Sequence, residues 1–292
     1  MADMAVRDPS PAMPFPDRHF AFEDSDFRRI CTLIHQHAGI SLAPHKRDMV
    51  YSRLVRRVRA CGFVRFSDYL DAVEHGDGAE WQAFVNALTT NLTSFFREAY
   101  HFGDLATQLR EAAARTGTRT PLRIWCSAAS TGEEPWSLAI TACEAFGTLT
   151  PPVHILATDI DTSVLETAEE GVYAMDRIAS LSEKRRQAFF QRGSGPHSGQ
   201  CRVRPALRAL VEFRPLNLLD RSYGIAPGLT AIFCRNVMIY FDKPTQYAVL
   251  QRMIPLLAPE GRLYAGQSES VTHAADLVTS CGRTVYRARE RA

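Results

Sequence analysis

The sequence predicts an α/β fold: a doubly wound, mostly parallel sheet, preceded by a small all-helical domain and interrupted by an inserted β-hairpin or small sheet. Three observations lead there. Apolar stretches of strand length near 122–126, 154–158, 211–214, 231–234 and 261–265 alternate with helical patterns near 133–146, 162–170 and 244–257. That alternation is the mark of parallel strands joined by crossover helices. Upstream, residues 24–89 show helical periodicity and no strand pattern. Between Phe189 and Arg204 the character changes: Gly193-Ser-Gly-Pro-His-Ser-Gly199 is too glycine-rich for a helix, and flanks such as Gln200-Cys-Arg-Val-Arg204 alternate as strands do.

The elements follow in order. Residues 1–17 hold four prolines and few large apolar side chains, the composition of a disordered tail. Residues 18–90 form the helical domain. Asp24 or Ser25 is placed to cap a helix through His37, and further helices fall near 44–60, 67–74 and 79–89. On the helix near 44–60, Val50, Leu54, Val58 and Cys61 make one apolar stripe. Lys46, Arg53, Arg56, Arg57 and Arg59 occupy the opposite arc, with Asp48 as the nearby acid. Such a charge run is usually a solvated face; this one stays positive. Asn91–Arg97 leads into the second domain, 91–292, which begins with a helix near 104–115. Glycines and the lack of a strand-to-helix context make the segment 189–204 an insertion rather than a phosphate loop. Thr284–Arg287 adds a final strand.

The most informative segment is 122–135. An apolar strand, Leu122–Cys126, runs into a loop of small residues, and the loop opens a helix with Glu133, Glu134 and Pro135 in its first turn. Small residues let backbone approach a ligand closely, and open α/β sheets bind nucleotide-like ligands at such turns. The loop is not G-x-G-x-x-G, which disfavours a pyrophosphate. Its acidity suits a cationic cofactor, and S-adenosylmethionine carries an ammonium and a sulfonium. A second strand ends in Asp159, where a carboxylate accepts ribose hydroxyls, while Asp161 or Thr162 is placed to cap the next helix.

Composition narrows the class. The chain has 292 residues, 46% hydrophobic and 23% charged, as in soluble globular proteins. No apolar run is long enough to span a bilayer and no signal-peptide pattern is present. The seven cysteines are dispersed without a C-x-x-C pair, which argues for reduced thiols in the cytoplasm and against a zinc site. His35 and His37 point in different directions on their helix, so packing or surface roles fit them better than metal ligation. A net charge of +2 makes no case for nucleic acid. The expectation is a cytoplasmic monomer without a metal.

Asn91-Leu-Thr-Ser-Phe-Phe-Arg97, the loop 127–135, Ala157-Thr-Asp-Ile-Asp161, Asn217-Leu-Leu and Phe233-Cys-Arg-Asn-Val-Met-Ile-Tyr-Phe-Asp242 together resemble the motifs of the CheR family, from about Phe20 to the C-terminus. Members methylate glutamates of bacterial chemoreceptors. The resemblance implies the class I S-adenosylmethionine-dependent methyltransferase fold and a set of roles. Asn91, Thr93, Arg97 and Glu134 surround the methionyl end of the cofactor and Asp159 holds the ribose. Asn217 and Leu218 contact the base, and Arg235 with Asn236 closes the pocket. Arg97 and Tyr240 orient the incoming carboxylate. The face carrying Arg53, Arg56, Arg57 and Arg59 docks the glutamate-rich receptor helices, and the insertion offers a strand edge, including Val203, to a peptide at the receptor's C-terminal tail. The rival classes are a methyltransferase of RNA or a small molecule, and a module that senses S-adenosylmethionine without turnover.

Overall fold

The computed structural model describes residues 20–76, 78–117 and 120–289; the expected tail over 1–17 lies outside the described residues. Helix α1 (Asp24–Ala38) is capped by Glu23, not by Asp24 or Ser25. The Glu23 side chain accepts from the Asp26 amide, and the Asp26 carboxylate accepts the Glu23 N–H at 2.9 Å. α1 ends at Gly39 with φ +70°, where an added Cβ would meet Leu219 Cδ1 at 2.8 Å. Glycine there both turns the chain and lets the helix end abut the second domain.

A short turn at Pro44–Lys46 leads into α2 (Arg47–Ala60), followed by α3 (Phe66–His75) and α4 (Ala79–Leu88). These helices bury a core of their own, including Ile30, Ile34, Leu54, Val58, Phe66, Tyr69, Phe84 and Leu88. The buried stripe of α2 is Val50, Leu54, Val55 and Val58. Cys61 is exposed and follows the helix end, so it drops out of the buried stripe, which Val55 widens.

The second domain opens with α5 (Tyr100–Thr116), which starts one turn before the expected position near 104. It continues through β1 (Leu122–Cys126), α6 (Glu133–Phe146), β2 (Val153–Asp159) and α7 (Thr162–Glu170). Next come β3 (Val172–Ala174), α8 (Glu183–Phe189), β4 (Phe190–Arg192) and β5 (Gln200–Val203). After the short α9 (Pro205–Arg208) the chain forms β6 (Val211–Pro215), β7 (Leu229–Cys234), α10 (Lys243–Met253), β8 (Leu257–Ala265), β9 (Val278–Gly282) and β10 (Val285–Ala288).

The main sheet has the order β6-β2-β1-β7-β8-β10-β9. Its first five strands are mutually parallel and β10 is antiparallel to both neighbours. Alternation along β1 sends Leu122, Ile124 and Cys126 into the core shared with α5 and α6, and Trp125 into the opposite core shared with α10. From β1 the chain moves to β2 and β6 on one side, then returns to β7 on the other. The crevice above the C-terminal ends of β1 and β7 is therefore the topological switch point, where open sheets bind ligands. Strand β9 escapes a sequence reading because Thr279, Ser280, Cys281 and Gly282 are all exposed on an edge and present no apolar alternation.

Of the two forms expected for the insertion, a hairpin or a small sheet, it takes the second. β3, β5 and β4 form a separate three-stranded antiparallel sheet in that order. β3 is three residues long and far upstream of the glycine-rich turn, too short to register as a pattern. Val203 consequently lies on the central strand, 1% exposed and paired with Phe190, and not on an edge. The edges are β3 and β4.

Candidate active site

A cleft enclosing about 1020 Å³ of empty space, part of it open to solvent, sits at this switch point. Asn91, Thr93, Arg97, Glu134, Asp159, Asn217, Leu218, Arg235, Asn236 and Tyr240 all line it. The helical domain supplies part of the wall through Ala38, Ile40, Lys46 and Met49. Cross-domain bonds hold that wall in place: Ser41 N–H donates to the Tyr240 carbonyl at 2.8 Å, and Gln82 Nε2 to the Ile160 carbonyl at 2.9 Å.

Two aspartates divide the end of β2 between them. Asp159 is 8% exposed; its oxygens accept from the Ser130 amide at 2.8 Å and the Asp161 amide at 3.0 Å. Burial pushes its carboxyl up to about 6 despite those two donors. Asp161 caps α7, accepting from the Ser163 and Val164 amides with one oxygen. Its other oxygen accepts from Thr89 Oγ1 at 2.6 Å and Asn91 Nδ2 at 2.8 Å, which ties the interdomain linker down beside the cleft. Ser130, at φ +48°, donates Oγ to the Asn91 carbonyl at 2.9 Å and joins loop to linker.

Beneath the linker lies a buried charge group. The Arg235 guanidinium is fully enclosed and donates to Glu134 at 2.6 Å and to the Arg97 carbonyl at 2.5 Å, with Glu98 at 3.2 Å. Burial opposes the charge on Arg235, but Glu134 and Glu98 more than offset it and raise the guanidinium above its ordinary value. Burial pushes the Glu134 carboxyl up, against the pull of Arg235. Burial would raise Glu98 too, yet the Gln267 amide at 3.0 Å and Arg235 hold it below the usual carboxylate range. Two carboxylates and one guanidinium leave an acidic surplus at the cleft. Phe96 (φ +53°) and Glu98 (φ +56°) flank Arg97 in the left-handed region, at about 1–3 kcal/mol each. Ser137 Oγ, accepting the Phe96 amide at 3.0 Å, helps hold this bend.

Residues 25–89 match the all-alpha domain of CheR methyltransferases, and residues 91–287 match their SAM binding domain. The chain belongs to the CheR methyltransferase family. It is 50% identical over 283 residues to Chemotaxis protein methyltransferase 2 of Pseudomonas aeruginosa, covering 97% of this chain and 99% of that one. Identity to the Chemotaxis protein methyltransferase of Salmonella typhimurium is 52% over 270 residues, 92% of each chain. The Escherichia coli protein of that name is 51% identical over 267 residues, 91% of each.

Not every candidate stands free in this CheR cleft. The Asn217 amide donates to the His37 carbonyl at 2.6 Å and accepts the Leu219 N–H at 2.9 Å, so it is committed to the domain junction. Arg53, Arg56, Arg57 and Arg59 lie off the cleft, and two of them face inward. Arg57 pairs with Glu80 through Nε, at 3.0 Å, and Nη2, and Tyr69 Oη donates to the same carboxylate at 2.7 Å. Glu80 sits on α4, which a single-helix projection cannot see. Arg53 donates to the Leu88 and Thr89 carbonyls at 3.1 and 2.5 Å, bracing the start of the linker. Arg56 is exposed, and the exposed Arg59 stands over the Phe20 ring at 5.4 Å.

Other contributors carry no signal of their own in the sequence. Glu98 is one, and Glu269 is another; the Glu269 carboxylate accepts the Asn236 amide at 2.8 Å and the Gly266 amide at 2.5 Å. Asn236 holds φ +59° and an added Cβ at Gly266 would meet Asn236 Nδ2 at 2.5 Å, so that glycine is needed for the turn to close. Gly132 holds φ +98°, and a Cβ there would strike Tyr173 Oη at 2.7 Å and Ala168 Cα at 2.9 Å; backbone conformation and packing both demand glycine. Among the described residues no His, Cys, Asp or Glu cluster could hold a metal, and no helix is long and apolar enough to cross a membrane.

Proposed function

We propose that this chain transfers the methyl group of S-adenosylmethionine to glutamate side-chain carboxylates of bacterial chemoreceptors. One observation carries the reading: a single cleft is lined by the acids Glu134 and Asp159 and by the bases Arg97 and Lys46. That pairing fits a cationic methyl donor beside an anionic acceptor. When bound, S-adenosylmethionine supplies a methyl group on a sulfonium, which a carboxylate can take up without any proton changing place. The Glu98–Arg235–Glu134 group, with its surplus negative charge, favours the ammonium and sulfonium. Asp159, with each oxygen already fixed by one backbone amide, is held ready to accept ribose hydroxyls. Leu216, Leu218 and Phe241 offer apolar wall for the base.

Acid–base catalysis is unnecessary. A glutamate side chain ionises near about 4.3 and is already nucleophilic at neutral pH. The described residues that line the cleft include no histidine. Arg97 and the Tyr240 hydroxyl orient the acceptor, and Lys46, 5.7 Å from the Tyr240 ring centre, adds a second cation from the helical domain. Rate enhancement then comes from positioning and water exclusion. Arg56 and Arg59 supply the outward positive surface for a glutamate-rich helix. The edges of the inserted sheet suit capture of an extended receptor-tail peptide.

The test is incubation with methyl-labelled S-adenosylmethionine and receptor cytoplasmic fragments, scored for methanol released by alkali. Base-labile label on receptor glutamates is the expected result. Label that stays in RNA or a small molecule, or cofactor binding without turnover, refutes the proposal.

A further inference from the structure

The turn that follows β3 reaches the border of the cleft through one arginine. Arg177 lies in the turn Met175–Ile178 that follows β3. Its Nη2 donates to the Thr93 carbonyl at 3.0 Å and its Nε to Glu133 Oε1 at 3.1 Å. Glu133 is 1% exposed, and its other oxygen accepts Thr131 Oγ1 at 2.6 Å. Tyr173, on β3, donates Oη to the Thr131 carbonyl at 2.7 Å. The insertion thus grips both the loop after β1 and the linker whose Thr93 and Arg97 line the cleft.

Ring packing repeats the pattern. Phe95 is buried edge-on between Tyr173, at 5.2 Å, and Phe190 of β4, at 5.5 Å. The Arg185 guanidinium of α8 lies 3.9 Å from the centre of the Phe96 ring and pairs with Glu144 of α6 at 2.8 Å. Every residue from Thr93 to Phe96 except Ser94 is therefore held by an element of the insertion. The bend that presents Arg97, with its two left-handed residues, rests on that support.

We infer that the insertion is a structural part of the methyl-transfer site, with Arg177 as a positioning residue that sets Thr93 and the Thr131–Glu133 turn for cofactor and acceptor. This inference rests on the methyl-transfer reading above.

Truncating Arg177 alone strands the buried Glu133 carboxylate, so the informative variant is Arg177→Ala with Glu133→Gln. The amide introduced by Glu133→Gln keeps a partner for Thr131 without leaving a charge unpaired. Thermal melting serves as the fold control, S-adenosylhomocysteine binding by calorimetry as the affinity readout, and receptor methylation as the kinetic one. We expect Kd for S-adenosylhomocysteine to rise roughly tenfold, the worth of about one lost hydrogen bond. We also expect kcat to fall while KM for receptor stays near wild type, and amide exchange over 93–98 to accelerate. Arg177→Lys, which can reach one acceptor at a time, should recover part of both losses; it carries the test if the double variant does not fold. A folded double variant with wild-type Kd, kcat and exchange overturns the inference. Wild-type protein that fails to bind S-adenosylhomocysteine overturns the methyl-transfer reading instead.

Discussion

Asp159→Asn is the sharpest probe of the cleft, because the structure predicts what it does to stability and to affinity separately. The carboxyl sits at about 6 against an ordinary 3.8. At about 1.36 kcal/mol per pH unit, keeping it ionised costs the fold on the order of 3 kcal/mol. The sign follows: the folded pKa is raised, so this group's contribution to stability is present below about 3.8 and is lost as pH rises through about 6. The amide variant removes that cost at neutral pH. It also faces one of the two backbone donors, Ser130 or Asp161, with an NH₂ group, a stranded donor worth about 1–3 kcal/mol. The two terms nearly cancel, and melting temperature at pH 7.5 should move by only a few degrees. Affinity has no such compensation. Ribose hydroxyls lose a charged acceptor worth roughly 1.5–3 kcal/mol, so S-adenosylhomocysteine should bind about 10- to 100-fold more weakly. Calorimetry as a function of pH adds a second signature. Wild-type affinity should be level above pH 7 and fall about tenfold per unit below about 6, with protons released on binding near that pH, while the variant stays flat. Wild-type affinity in the variant, or a wild-type profile flat to pH 5, would remove Asp159 from the ribose site.

Arg235→Ala leaves Glu134 and Glu98 enclosed without their cation, and should destabilise the fold by about 3–5 kcal/mol, read by denaturant unfolding; a change below about 1 kcal/mol would mean water or rearrangement compensates. Arg56→Glu should lower receptor methylation and its salt sensitivity while leaving S-adenosylhomocysteine affinity intact. Arg57→Glu, which sets two carboxylates against each other at Glu80, should lower the melting temperature instead; equal effects from both would defeat the division of that face into docking and structural arginines. Arg192→Pro on the edge strand β4, where the alternation set by Gly193 N–H on the Gln200 carbonyl turns the residue-192 N–H away from β5, should abolish binding of a receptor C-terminal peptide with the fold intact, whereas Val203→Pro on the central β5 should unfold the insertion, as judged by limited proteolysis. Retained peptide binding in Arg192→Pro would mean that β4 is not the capturing edge.

Much of this molecule is legible in one dimension because its signals are local. Strand β1 and helices α6 and α7 stand where period and capping residues put them, since alternation and N-cap chemistry depend on near neighbours. The C-terminal ends of successive parallel strands fall on one edge of a sheet, so Glu134, Asp159, Asn217 and Arg235 could be placed together from their positions after strands. What the sequence alone determined was the sheet, its crossovers and the motif residues around one cleft. Tertiary structure decided which of those side chains remain free. Glu80 reaches Arg57 from another helix, and His37 occupies the Asn217 amide across the domain junction. Arg235 draws Glu98 and Glu134 into one buried group. It also put Val203 at the centre of the inserted sheet rather than on its edge, and set Gly132 against Tyr173. Hydrogen-bond capacity is finite and charge pairing acts through space, so partners distant in the chain settle what a residue type only makes possible.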